Sequence, residues 1–209
     1  MLGMIKKDLY LMLNNRKLLY IVLIMYLGMS VMAEQDYTLF IPFLVMMMVF
    51  SSFSYDEFNN WHGYGAVLPH GRENIVKAKY VAALGLLIVS GTVSMLLSLA
   101  IGSFKHSLDL SNSVSMLAGV CTVMLLLVSI LFPIIFKFGY EKGRIAMFVV
   151  SFGISGIAIL LGKVFQIQIS ASTLLFLEKY GLYLAVALML ILLYGSYRIS
   201  RKVYLNKEL

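Results

Sequence analysis

The sequence predicts an all-α integral membrane protein with six transmembrane helices and an amphipathic interfacial helix ahead of them, in one domain covering 1–209. Composition is the first reason. Of 209 residues, 61% are hydrophobic and 13% charged, with mean hydropathy +0.90, against roughly 25% charged residues in an ordinary soluble domain. The second is the recurrence of apolar runs of about spanning length between short polar segments. The third is the placement of positive charge. Fourteen of the 17 Lys and Arg residues fall on one side of this topology, and only Lys105, Lys163 and Lys179 on the other. Positive-inside then puts both termini in the cytoplasm of a multi-pass protein of the cytoplasmic membrane.

Residues 1–16 carry Leu2, Ile5, Leu9, Met12 and Leu13 at helical spacing, with Lys6, Lys7, Asp8 and Asn14 elsewhere on the wheel. Such a helix lies in the headgroup region with its basic side toward anionic lipid; a cytoplasmic extension of span one is the alternative. Spans are expected at 18–33, 37–54, 78–103, 113–136, 145–162 and 174–197. Glu34-Gln35-Asp36 makes a short acidic connection, and Pro42 is tolerable near a helix start. Pro133 is expected to kink or break the last turn of span four. Ser151, Gly153, Ser155 and Gly156 give span five a small-residue face suited to close packing. A turn around Lys105–Asn112 and a more polar loop over 163–173 complete the outer side. The first apolar run is long and lacks a small-residue cleavage site, so it does not read as a secretory signal.

Several chemistries are excluded. The net charge of +7 comes from residues at the ends of apolar runs, which fixes topology rather than binding nucleic acid. A phosphate loop needs G-x-x-x-x-G-K-[ST], and the nearest string, Gly156 to Gly162-Lys163-Val164, has the wrong spacing and no hydroxyl. His62, His70 and His106 have no carboxylate or thiol partner at metal-ligand spacing. The single Cys121 sits in mid-span, so no intramolecular disulfide can form. No span interior carries an ionisable group that would relay protons, so energy for any transport is expected to come from outside the chain.

The segment 55–80, YDEFNNWHGYGAVLPHGRENIVKAKY, is the longest that cannot sit in a bilayer, and it holds the only Trp. Phe53–Tyr80 resembles the segment between spans two and three of small ABC-2-type exporter permeases. The likeness rests on Asp56-Glu57, Asn59-Asn60-Trp61, Leu68-Pro69, Arg72 and Val76-Lys77-Ala78-Lys79-Tyr80. A second match, Phe132–Ile145 (FPIIFKFGYEKGRI), resembles the family's run after span four. Gly71 departs from the pattern, since relatives often have Ser there, and the capping hydroxyl is then missing.

The resemblance implies an exporter subunit without an ATPase site or bound cofactor, working as a dimer of permeases with two copies of an ABC ATPase that carries ATP and Mg. It also implies a cytoplasmic coupling helix. Asp56 or Asn59 can cap it, Phe58, Trp61 and Tyr64 supply aromatic anchors, and Gly63 and Gly65 would end it. ATPase contacts are therefore expected at Asp56, Glu57, Phe58, Asn59, Trp61 and Tyr64. Further contacts are expected in the second cytoplasmic loop, at Lys137, Glu141, Lys142 and Arg144, with Glu141 paired to Lys137 or Arg144. An interfacial aromatic belt and a solvated charge run are the plainer alternatives. The cargo the resemblance implies is an amphipathic cytolytic or antimicrobial peptide of the phenol-soluble-modulin type. The high Met content, including Met46-Met47-Met48, suits adaptable apolar contacts, although Met in spans also serves as packing filler. The alternative function is a membrane immunity or sensor subunit that binds a cytoplasmic partner without transporting.

Overall fold

A computed structural model of the chain describes residues 2–14, 16–32, 36–68, 71–105, 110–164 and 171–207. The expected connection at Glu34-Gln35, Pro69, the turn at 106–109 and the loop centre at 165–170 lie outside these residues. Helix α1 covers Leu2–Asn14 and α2 covers Arg16–Met32. A 3-10 turn at Tyr37–Phe40 leads into α3, Ile41–Phe58, with Pro42 in its first turn, where no backbone N–H is needed. The short α4 spans Trp61–Val67, and α5, Gly71–Lys105, follows. Then come α6 at Leu110–Phe138, α7 at Tyr140–Val164 and α8 at Ala171–Leu205.

Three described helical segments, Tyr37–Phe58, Gly71–Lys105 and Leu110–Phe138, are long and apolar enough to cross a membrane, and Tyr20–Met32 is a shorter apolar stretch. The helices outrun the apolar stretches that predicted them. At about 1.5 Å per residue the 35 residues of α5 extend about 52 Å, against about 30 Å of hydrocarbon. Helix needs a stop signal to end, not merely a polar residue, and few stop signals are present. Most of the expected 55–80 loop is therefore helix. The expected second loop shrinks to Gly139, whose φ of +86° lets the chain leave α6 and start α7 at once. Pro133 does not end α6, which continues to Phe138.

An aromatic chain forms the middle of the bundle. Phe132 of α6 meets Phe53 of α3 edge-on at 5.0 Å and Tyr80 of α5 at 4.9 Å, and Phe136 meets Tyr204 of α8 at 5.3 Å. The Tyr80 hydroxyl is held by Ser196 and Ser200 of α8 at 2.6 and 2.9 Å. Met46 belongs to this packed interior, whereas Met47 is exposed. Among the described residues, a Cβ at Gly153 or Gly156 on the small-residue face of α7 would meet nothing within 4 Å. The side chains of Ser151 and Ser155 lie outside the described residues. At one end of the bundle Ser98 donates to Asp36 Oδ2 at 3.1 Å, the Thr38 N–H donates to Ser30 Oγ at 2.9 Å, and Lys105 donates to the Ser30 carbonyl. The other end gathers α1, α4, the start of α5 and the last turns of α8.

Candidate functional site

Helix α4 stands apart from α3 because of two asparagines. Asn59 Nδ2 donates to the Tyr55 carbonyl at 2.9 Å and closes the end of α3. Asn60 then takes a left-handed conformation, φ +49°, which asparagine tolerates better than most residues. Asn60 occupies the N-cap position of α4 without a side-chain cap bond, so neither Asp56 nor Asn59 caps this helix as expected. Gly63 and Gly65 do not end it either. They lie inside it, and Gly65 has a packing role: an added Cβ there would fall 2.5 Å from Ile75 Cδ1. A Cβ at Gly71 would fall 1.8 Å from the Gly65 carbonyl oxygen. The departure at Gly71, where a Ser is often found, is thus what this contact of α4 on α5 requires.

On its outward side the site is apolar. Phe58 is 84%, Tyr64 64% and Val67 86% exposed, an unusual concentration beside a polar helix end. Trp61 is half-buried instead, its ring 5.3 Å from Tyr64 and under the Lys7 ammonium at 4.3 Å. Asn59 is exposed. Of the six residues expected to face a partner, Asp56 does not. It is turned inward and is 1% exposed.

Beneath α4, Asp56 joins a cluster of buried charges. Lys79 Nζ lies 2.7 Å from Asp56 Oδ2, 3.1 Å from Asp8 Oδ1 and 2.8 Å from Ser52 Oγ. The Asp56 Oδ2 contact is off the direction of a hydrogen bond, so it is ionic only. Lys7 pairs with Asp56 and lies 3.2 Å from Asp8 Oδ1. The side chains of Asp8, Asp56 and Lys79 are each 2% exposed and that of Lys7 22%. Two cations and two anions leave the cluster neutral, the condition under which such groups tolerate burial. The cluster sits at the ends of the expected spans rather than in their interiors, and it corrects one expectation: α1 does not simply lie on lipid, since Asp8 and Met12 face into the bundle, with Lys6 and Tyr10 outward. The sequence shows each charge separately, Asp8 on the wheel of α1, Asp56 just past span two and Lys79 at the start of span three, with no local signal that they meet.

Glu57 reaches sideways. Its Oε2 accepts the Tyr140 N–H at 2.5 Å, which satisfies one free donor at the start of α7 and favours a carboxylate at a helix N-terminus. Glu57→Ala should therefore cost about 1 kcal/mol, read as a lowered thermal midpoint of the solubilised protein. Glu57 and Phe58 line an open pocket with Ser54, Tyr140 and Glu141, so the two segments expected to contact a partner do converge. Lys137, Glu141, Lys142 and Arg144 are all exposed. Lys137 sits 4.9 Å over the Phe138 ring, and among the described residues Glu141 pairs with neither Lys137 nor Arg144.

The end of α8 closes over the same region. Arg72 donates to the carbonyls of Leu205 and Lys207 at 3.0 and 3.2 Å, and Arg201 pairs with Glu73 at 2.5 Å. Tyr204 is buried. Burial, and then the nearby Asp56 carboxylate, push its phenol pKa well above the ordinary value while Arg72 opposes, so it stays neutral.

Among the described residues, the short α4 is hung between the first two of three helices long and apolar enough to cross a membrane. The family model described as ABC-2 family transporter protein matches residues 3–205, and the chain belongs to that family. It is a membrane permease of the ABC transporter type; such permeases work with an ABC ATPase subunit rather than an ATPase domain of their own. Neither the curated proteins nor the solved structures yield a significant match.

Proposed function

We propose that this chain is the membrane subunit of an ATP-driven exporter of amphipathic peptides, with six spans, both termini inside a bacterial cytoplasmic membrane, and α4 as the helix on which the ATPase docks. Two copies of the permease pair with two ATPases, since six helices are too few to enclose a peptide path. The observation that carries the reading is the exposed apolar surface made by Phe58 at the end of α3 with Tyr64 and Val67 on α4. Exposed aromatics of this kind are what interface centres are made from. The convergence of Glu57, Phe58 and Glu141 on one pocket extends the docking face to the α6–α7 turn. The central segment and the run after α6 resemble the permease subunit of the phenol-soluble-modulin exporter, which supports a peptide cargo.

The test is co-purification of the detergent-solubilised chain from its native cells, with partner identification and an ATPase assay. Recovery of a subunit with a phosphate-loop motif is expected. Phe58→Ser combined with Tyr64→Ser should weaken that association by about 30-fold or more, the effect of a lost interface centre. Trp61→Ala should leave the protein inserted but uncouple hydrolysis from transport. Recovery of the chain alone, or with a kinase or peptidase, would favour the immunity or sensor role instead.

A further inference from the structure

We propose that Lys7, Asp8, Asp56 and Lys79 form a positioning set for transport: they pin α1 against the root of α4, fix the station of Trp61, and so set how far turnover by a docked ATPase is carried into α3 and α5. This rests on the docking reading above. Helix α4 has 7 residues and no side-chain cap, too short to hold its own place by backbone bonding. It is placed by two contacts. One is the approach of Gly65 to the backbone of Gly71 and the side chain of Ile75, about which the helix would pivot. The other is Trp61 under Lys7, at the opposite end of α4.

Lys7 is thus the stop against which α4 would rotate. The same ammonium holds Asp56, in the last turn of α3, and Asp8, which in turn holds Lys79 near the start of α5. A push on α4 would therefore reach α1, α3 and α5 through one charged junction. A buried ion cluster adds little stability over apolar packing, but it permits few alternative arrangements, which is what a mechanical stop needs. Lys7 is also its most accessible member, so it can be altered with the least disturbance to the fold.

Trp61 is the only tryptophan, so 5-fluorotryptophan labelling gives a single fluorine resonance from the permease mixed with unlabelled ATPase. The unaltered complex, Lys7→Met and Lys7→Arg are compared for ATPase binding, for stimulation of hydrolysis over the free ATPase, and for that resonance. Lys7→Met is expected to bind the ATPase as before, to shift or broaden the resonance, and to lose stimulation by about fivefold or more, the range of an ordinary coupling interaction. Lys7→Arg, which keeps the charge over the ring, should retain it. A purely structural role would lower stability without separating binding from stimulation. Full stimulation in Lys7→Met would overturn the inference and leave the docking reading standing. Absence of binding by the unaltered chain would remove the docking reading itself, and the inference with it. Should Lys7→Met not survive solubilisation, the unaltered complex decides: its resonance must move on trapping with ATP and vanadate, and a stationary resonance overturns the proposal.

Discussion

Lys79→Met is expected to lower the unfolding free energy of the solubilised chain by about 3–5 kcal/mol, because removing one partner of a buried ion cluster strands the others. Asp8 and Asp56 would be left to share Lys7, the least buried of the four, and Ser52 would lose its donor. The loss should come from stranded charge rather than lost volume, since Met is close to Lys in size. Removing a matched pair, as in Lys79→Met with Asp8→Leu, should restore most of the loss, because one cation and one anion remain paired. Thermal midpoints from size-exclusion chromatography after heating check both. A single variant that loses under 1 kcal/mol would mean that water reaches the cluster freely.

Gly71→Ala is the second large effect. The methyl group would lie 1.8 Å from the Gly65 carbonyl oxygen, and both groups are backbone, so no rotamer change relieves it. Helix α4 must move off α5, at about 1–3 kcal/mol if the shift is local. The displacement should show as increased exposure of Trp61 to acrylamide quenching, and as protease cleavage between α4 and α5. Ile75→Ala, which opens space under Gly65 instead of filling it, should not release α4 in the same way. An unchanged Trp61 environment in Gly71→Ala would mean that α4 and α5 do not touch.

What could be read from the sequence was whatever is local or periodic. Apolar runs located the long helices, and a short helix is expected around Trp61, although its N-cap residue is Asn60 rather than Asp56 or Asn59. The likeness in 53–80 and 132–145 pointed to the family that the match over 3–205 then established. What could not be read depends on contacts between residues far apart. Asp8 and Lys79 are separated by 71 positions, and nothing near either one says that they meet. Asp56 stands in a polar string beside Glu57 and looks equally solvated, yet one turns into the bundle and the other reaches Tyr140. A helix turns each residue 100° from the last, so neighbours in sequence face different ways. Gly63 and Gly65 read as helix stops by the local rule, but the Gly65–Gly71 approach outweighs it.

The contacts of α8 with the start of α5 bear on how the protein is made. Arg72 and Leu205 are 133 positions apart, and Arg201 and Glu73 are 128 apart. The charge cluster can close once α5 has left the ribosome. The clasp beside α4 must wait until α8 has been synthesised and inserted. During that interval the Arg72 guanidinium lacks its carbonyl partners at the end of α8, and the aromatic chain lacks Tyr204. Until α8 is in place, α4 lacks the clasp that stands beside it in the finished bundle.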